Sequence, residues 1–171
     1  EDLWRWCNRR GVTMRAQHLP GKLNVRSDRI SRVRVDRSES QLNPRYMPWL
    51  DHQWGQHTVD LCAGRHNRQC ARYFSARHEQ EAAATNAFLQ DWSKESNPYI
   101  NPPFGLLPRV LQQVADQKVE VTVIAPVWGA SWWPQLMQLC SGPPRLLPQA
   151  PDLFLIQGKP TPPPRWRTAA F

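Results

Sequence analysis

Cysteine is scarce in this sequence. Only Cys7, Cys62, Cys70 and Cys140 occur among 171 residues, and no two of them form a Cys-x-x-Cys pair. A disulfide framework is therefore not expected, whereas reduced thiols in nucleus or cytoplasm are. A zinc site can be drawn from Cys62, His66, Cys70 and His78, but its spacings match no standard zinc pattern. Long apolar runs are lacking as well. None comes near the ~20 residues of a membrane span, and no apolar signal segment opens the sequence, so no membrane partner is expected. There is no internal repeat, which excludes a solenoid or propeller. An initiating Met is also missing, and the first residues fall mid-pattern, from which we expect a piece of something longer.

Acidic residues are outnumbered, 14 Asp and Glu against 22 Lys and Arg, for a net charge of +8. The excess is uneven. Residues 1–37 hold ten basic and four acidic residues, a net +6, and the remaining 134 contribute +2. Such a basic block suits a phosphate backbone, although charge alone equally describes a solvated face. Proline is abundant at 17 residues and implies irregular stretches. Nine tryptophans favour buried anchors or stacking platforms over disorder. At 40% hydrophobic residues the chain can bury one modest core, in one domain with appendages or in two very small ones.

Periodicity sets the expected elements. Leu3, Trp6 and Cys7 share a helical face over residues 2–10, with Gly11 as the stop. Residues 12–18 alternate as a short strand, Pro20-Gly21 is a turn, and residues 23–30 begin a helix capped by Asn24. Residues 33–45 are polar, contain Pro44 and read as a linker. A short helix is expected over 46–54, ended by Gly55. Beyond it, strands are expected at 58–63, 70–74, 97–100, 119–126 and 152–157, and helices at 79–89, 105–117 and 132–140. Prolines at 160–164 break up the tail. The run 119–126 is β-branched and nearly uncharged, as a strand covered on both faces is. This alternation is the rhythm of an open, mostly parallel α/β sheet, which takes ligands at the carboxyl ends of its strands.

The sharpest chemical signal is Asn101-Pro102-Pro103-Phe104, at the end of an expected strand. Proline fixes φ and with it the direction of the Asn101 and Pro102 carbonyls. Phe104 supplies a flat face on which a base lifted from a duplex can stack. An exocyclic amino group donating to two such carbonyls keeps its nitrogen lone pair free to attack a methyl donor. A plain strand-end turn is the other reading of these residues. Trp128, Trp132 and Trp133 are either a stacking surface beside that site or, as aromatics at a helix start more often are, core.

The motif resembles the (Asp/Asn/Ser)-Pro-Pro-(Tyr/Phe/Trp) catalytic motif of amino-group methyltransferases, and its surroundings resemble the Dam-type DNA adenine methyltransferases of phages. Val59-Asp60-Leu61-Cys62-Ala63, Asn67-Arg68-Gln69-Cys70, Tyr73-Phe74 and Trp92 precede it in that family's order and spacing, and Val123-Ile124-Ala125-Pro126, Trp128 and Trp132 follow. The stretch from His18 to Arg32 is similar to the closing segment of retroelement RNase H domains, with Asp28 at its metal-binding position. In DIRS-like retrotransposons such a tail is followed by runs similar to Leu42-Asn43-Pro44, Trp54-Gly55 and Val59-Asp60-Leu61, then by a Dam-type domain and a tyrosine recombinase.

The resemblance implies a Rossmann-like, methyltransferase-type open α/β sheet preceded by a partial RNase H tail. Residues 1–36 would be that tail, 37–56 a linker and short helix, 57–158 the Dam-like domain and 159–171 a proline-rich tail. S-adenosylmethionine is the implied cofactor, held at Asp60, Ala63, Gly64 and Asn86. Asn101, Pro102, Pro103 and Phe104 are the implied catalytic residues, holding adenine for N6 methylation. Without the resemblance, Asp60 reads as a strand-end or capping residue. Two departures stand out: Gly64 is single where a glycine-rich loop is expected, and Asn86 replaces the Asp of DIRS-like relatives. Mg belongs only to the incomplete RNase H part at Asp28, which cannot act alone because that chemistry needs several carboxylates converging on two divalent ions. The implied partners are DNA or RNA–DNA intermediates and the rest of a polyprotein, reverse transcriptase/RNase H and tyrosine recombinase. The implied function is a DNA adenine-N6 methyltransferase-like module, active or decayed. The alternative is a non-catalytic, basic nucleic-acid-binding spacer module.

Overall fold

The computed structural model describes residues 40–171, together with Gly11 and Thr13. The chain divides into two units, Glu1–Val35 and Asp36–Phe171. The elements expected over residues 2–30, the RNase H-like segment and Asp28 lie outside the described residues. In the second unit the chain runs β1 (Ser40–Leu42), α1 (Met47–Trp54), β2 (Val59–Asp60), β3 (Arg72–Ser75), β4 (Ala84–Thr85), β5 (Pro98–Ile100), α2 (Leu107–Gln117), β6 (Thr122–Val127), α3 (Trp133–Leu139), β7 (Arg145–Leu146), β8 (Phe154–Ile156), β9 (Lys159–Pro160) and β10 (Arg167–Ala170).

Seven strands form the main sheet in the order β4-β3-β2-β5-β6-β10-β7. The first five are parallel, and β10 enters antiparallel between β6 and β7. The expected open, mostly parallel α/β sheet is thus present. Strand order reverses between β2 and β5: the chain steps outward through β3 and β4, returns to β5 on the other flank of β2, and continues to β6. Crevices at such switch points, beyond the carboxyl ends of the strands, are where open α/β sheets hold ligands.

The pleat sorts side chains to two cores. Val59, Leu61, Ile100, Val123 and Ala125 pack with Leu107, Val110 and Leu111 of α2 and Leu136 of α3. Tyr99, Ile124 and Ala170 pack on the opposite side with Met47 and Leu50 of α1 and with Leu42 and Phe154 of a small antiparallel sheet, β1-β8-β9. The apolar stripe of α2 recurs every three to four residues as a half-buried helix requires, and Pro108 sits in its first turn, where a missing N–H is harmless. Gly55 ends α1 at a φ of 87°.

Three local expectations fail. The helix expected over 79–89 is replaced by a turn, the two residues of β4 and a 3-10 turn at Ala87–Leu89. Ala83 N–H donates to the Tyr73 carbonyl and Asn86 N–H to that of Ser75, so pairing with β3 overrides the helix propensity of the alanines. Asn86 then turns the chain at a φ of 56°. The linker expected over 33–45 carries β1 and the 3-10 turn Pro44–Tyr46 in its described part. The tail broken by prolines supplies β9 and β10. Small Thr168, Ala169 and Ala170 carry no apolar periodicity, yet they fit the crowded middle of a sheet and are buried.

The amino ends of the strands are locked by polar groups. Buried His57, just before β2, bridges Asp51 of α1 through Nδ1 (2.6 Å) and Thr122 of β6 through Nε2 (2.9 Å). Asn97 Nδ2 donates to the carbonyls of Trp54, Gly55 and Gln56.

Candidate active site

The carboxyl ends of β2 and β3 open into a cleft of about 790 Å³. One wall is the loop after β2, Cys62 to Asn67. Another is the loop after β3, with Ala76, Arg77 and Glu79; Gln41 of β1 and the Gln157-Gly158 turn between β8 and β9 face them. A space of this size accommodates a nucleoside-sized ligand.

Of the expected cofactor residues, Ala63 and Gly64 line the cleft. A Cβ on Gly64 would stand 3.2 Å from Glu79 Oε1, close enough to displace that carboxylate by a few tenths of an ångström, and in ordinary contact with Asn67 Oδ1 at 3.6 Å. Asp60 ends β2 as expected, but it lies beneath the cleft instead of in its wall. It is 2% exposed, and its two oxygens accept from the backbone N–H groups of Cys62 (3.2 Å) and Gln69 (3.0 Å). Those bonds fold the loop that forms the cleft wall. Burial pushes the Asp60 carboxyl up to about 7, against the pull of the two N–H donors. Asn86 follows β4, accepts from Phe88 N–H in a local cap, and is not among the residues of the cleft wall.

Asn101-Pro102-Pro103-Phe104 leaves β5, the strand next to β2. Asp60 stands opposite Tyr99, and Leu61 N–H donates to the Tyr99 carbonyl at 2.9 Å. The elbow and the cleft loop are therefore neighbours at the switch point. Asn101 Nδ2 donates to the Ser40 carbonyl at 3.1 Å, which fixes the amide and leaves Oδ1 as the acceptor. Pro102 is buried, and Pro103 and Phe104 are half-buried. Phe104 meets Trp128 and Trp166 edge to face, with centroids 5.2 and 5.3 Å apart, and Trp128 meets Trp166 at 5.3 Å. Trp132 is buried in the core, and Trp133 packs against that core.

Sequence reading missed Glu79, Gln41, the Gln157-Gly158 turn and Trp166. Glu79 had a weak signal: in nucleotide-binding α/β folds an acidic residue about 20 positions after the first glycine turn holds a ribose hydroxyl, and Glu79 follows Gly64 after the next strand, at a shorter spacing. Here its Oε2 accepts from Arg65 N–H and Tyr73 Oη, both at 2.9 Å, and its other oxygen faces Gly64. The other three come from segments distant in the chain and gave none.

The cleft holds no activated nucleophile. Burial and the nearby Asp60 push the Cys62 thiol up to about 12, so it stays protonated. Among the described residues no group of three or more His, Cys, Asp or Glu is placed to hold a metal ion, so the zinc set Cys62, His66, Cys70 and His78 is not assembled. Nor is any helix of the described residues long and apolar enough to cross a membrane.

An open, mostly parallel sheet with a cleft beyond β2 and β3, and a polar elbow on the adjoining β5 that does not itself line the cleft, is compatible with a methyltransferase-like fold. The chain belongs to the Dam family, described as DNA N-6-adenine-methyltransferase, whose family model matches residues 41–140. Neither curated proteins nor solved structures give a significant match.

Proposed function

We propose that this chain is a DNA adenine-N6 methyltransferase-like module dependent on S-adenosylmethionine. The observation that carries this reading is the adjacency, across neighbouring parallel strands, of the glycine-bearing cleft loop and the Asn-Pro-Pro-Phe elbow. The cleft suits an adenosine-type cofactor: Gly64 permits close approach of the backbone, Glu79 offers a carboxylate of the kind that accepts from ribose hydroxyls, and Arg65 and Arg77 give a cationic rim for a carboxylate. When bound, S-adenosylmethionine supplies an electrophilic methyl group. The chain's own residues act on the base. Asn101 Oδ1 and the Pro102 carbonyl accept from the exocyclic amine, which keeps its lone pair out of the ring and directed at the methyl carbon. Phe104 backs the base.

Calorimetry on the full chain tests the cofactor half. We expect micromolar S-adenosylmethionine binding that is lost in Gly64→Leu. Transfer of labelled methyl to adenine-containing DNA should fall roughly a hundredfold or more in Asn101→Ala, with cofactor binding intact. No binding by the native chain at millimolar cofactor would refute the reading.

A second reading, a non-catalytic nucleic-acid-binding spacer, is favoured by one observation: both oxygens of Asp60 are committed to backbone donors. It predicts DNA binding without cofactor binding. The similarity of residues 18–32 to an RNase H ending supports placing the module in a DIRS-like polyprotein, between reverse transcriptase/RNase H and a tyrosine recombinase.

A further inference from the structure

Trp166 lies outside the segment matched by the family and just before β10. Because β10 runs antiparallel to β6, Arg167 stands opposite Val127, and residues 165–167 arrive at the carboxyl edge of the sheet beside the elbow. Their side chains divide. The indole turns inward to Phe104 and Trp128, while Arg165 and Arg167 are exposed. Among the described residues neither arginine forms an ion pair. The indole N–H is buried and has no acceptor. Leaving such a donor unsatisfied costs about 1–3 kcal/mol, so Trp is not the residue that stability alone would select here. An aromatic next to the base-holding elbow, flanked by two unpaired cations, is the composition of a surface that grips single nucleotides and their backbone.

We propose that Arg165 and Arg167, carried on either side of Trp166, bind phosphates of the DNA strand whose target base enters beside Phe104. The proposal rests on the function argued above for the identity of the strand. Arg165 lies in the bend that leads into β10 and Arg167 opens the strand, and two long guanidinium side chains spread from that turn reach separate phosphates.

Fluorescence anisotropy of the full chain with labelled duplex DNA, over a salt series, reads this directly. In Arg165→Ala/Arg167→Ala the slope of log K against log salt should shrink by nearly 2, at about 0.9 per phosphate contact, and affinity at low salt should drop tenfold or more. Arg165→Lys/Arg167→Lys should keep the slope, because charge and not fork geometry sets it, and both variants should melt with the native chain. An unchanged slope and affinity in the alanine variant overturns the proposal, as does a native chain that does not bind DNA. The two readings separate cleanly. Arginine-dependent DNA binding without S-adenosylmethionine binding sinks methyl transfer and leaves this site standing. DNA methylation with an unaffected alanine variant sinks this site alone.

Discussion

Asp60 carries the largest electrostatic cost near the site in one buried carboxyl that supports the cleft loop. Its ordinary value of 3.8 rises to about 7 in the fold because burial penalises the charged form. Below about pH 3 the group is neutral in both folded and unfolded chains. Between 4 and 7 only the unfolded chain releases the proton, so stability falls as pH rises, by up to roughly 4 kcal/mol; above 7 the loss levels off. Asp60→Asn cannot ionise and should flatten the curve. Urea midpoints of the native chain should drop between pH 4.5 and 7.5, and those of the variant should not. Equal slopes in the two would show that the carboxyl is not enclosed as described.

At the scale of elements, α2 ends on Lys118 in the left-handed region, φ 52° and ψ 48°, a place that favours glycine. Lys118→Gly should therefore raise stability by about 0.5–1 kcal/mol, visible as a higher denaturation midpoint with an unchanged slope. The same helix shows what the sequence made legible. Leu107, Val110, Leu111 and Val114 repeat every three to four residues, and the β-branched run around Ile124 could only be a covered strand; both lie where expected. The elbow and the Ala63-Gly64 loop were readable for a similar reason, since each is local chemistry at a strand end. What was not readable depended on long-range pairing. Ala84-Thr85 becomes a strand because β3 offers an edge, and Thr168-Ala169-Ala170 because β6 and β7 leave a gap. The inward face of Glu79 and the seat of Trp166 likewise follow from partners far away in the chain.

The unit Asp36–Phe171 is closed by β10 and Phe171. β10 joins β6 to β7, Phe171 N–H and carbonyl both bond to Val123, and Thr168 accepts from Leu147 N–H. A chain ending at residue 160 retains the full segment matched by the family and both walls of the cleft, yet it should lose its cooperative melting transition. Circular dichroism would show this, and a sharp transition in the shortened chain would mean that residues 41–140 and their flanks fold without β10. The small sheet is tied to the main one through Ser40 to Asn101 and Leu42 to Gln69.

The place of β10 also governs the order of events as the protein is made. Thr122–Val127 is uncharged, and Thr122, Val123, Ile124 and Val127 are β-branched; the stretch before Pro126 is the kind of strand that adheres to others of its type. Its neighbour on one flank emerges about forty residues later than it does. During that interval the newborn chain displays an adhesive edge that β10 does not yet cover, so its yield during synthesis should depend on how quickly β10 arrives and on chaperones that shield the edge until then.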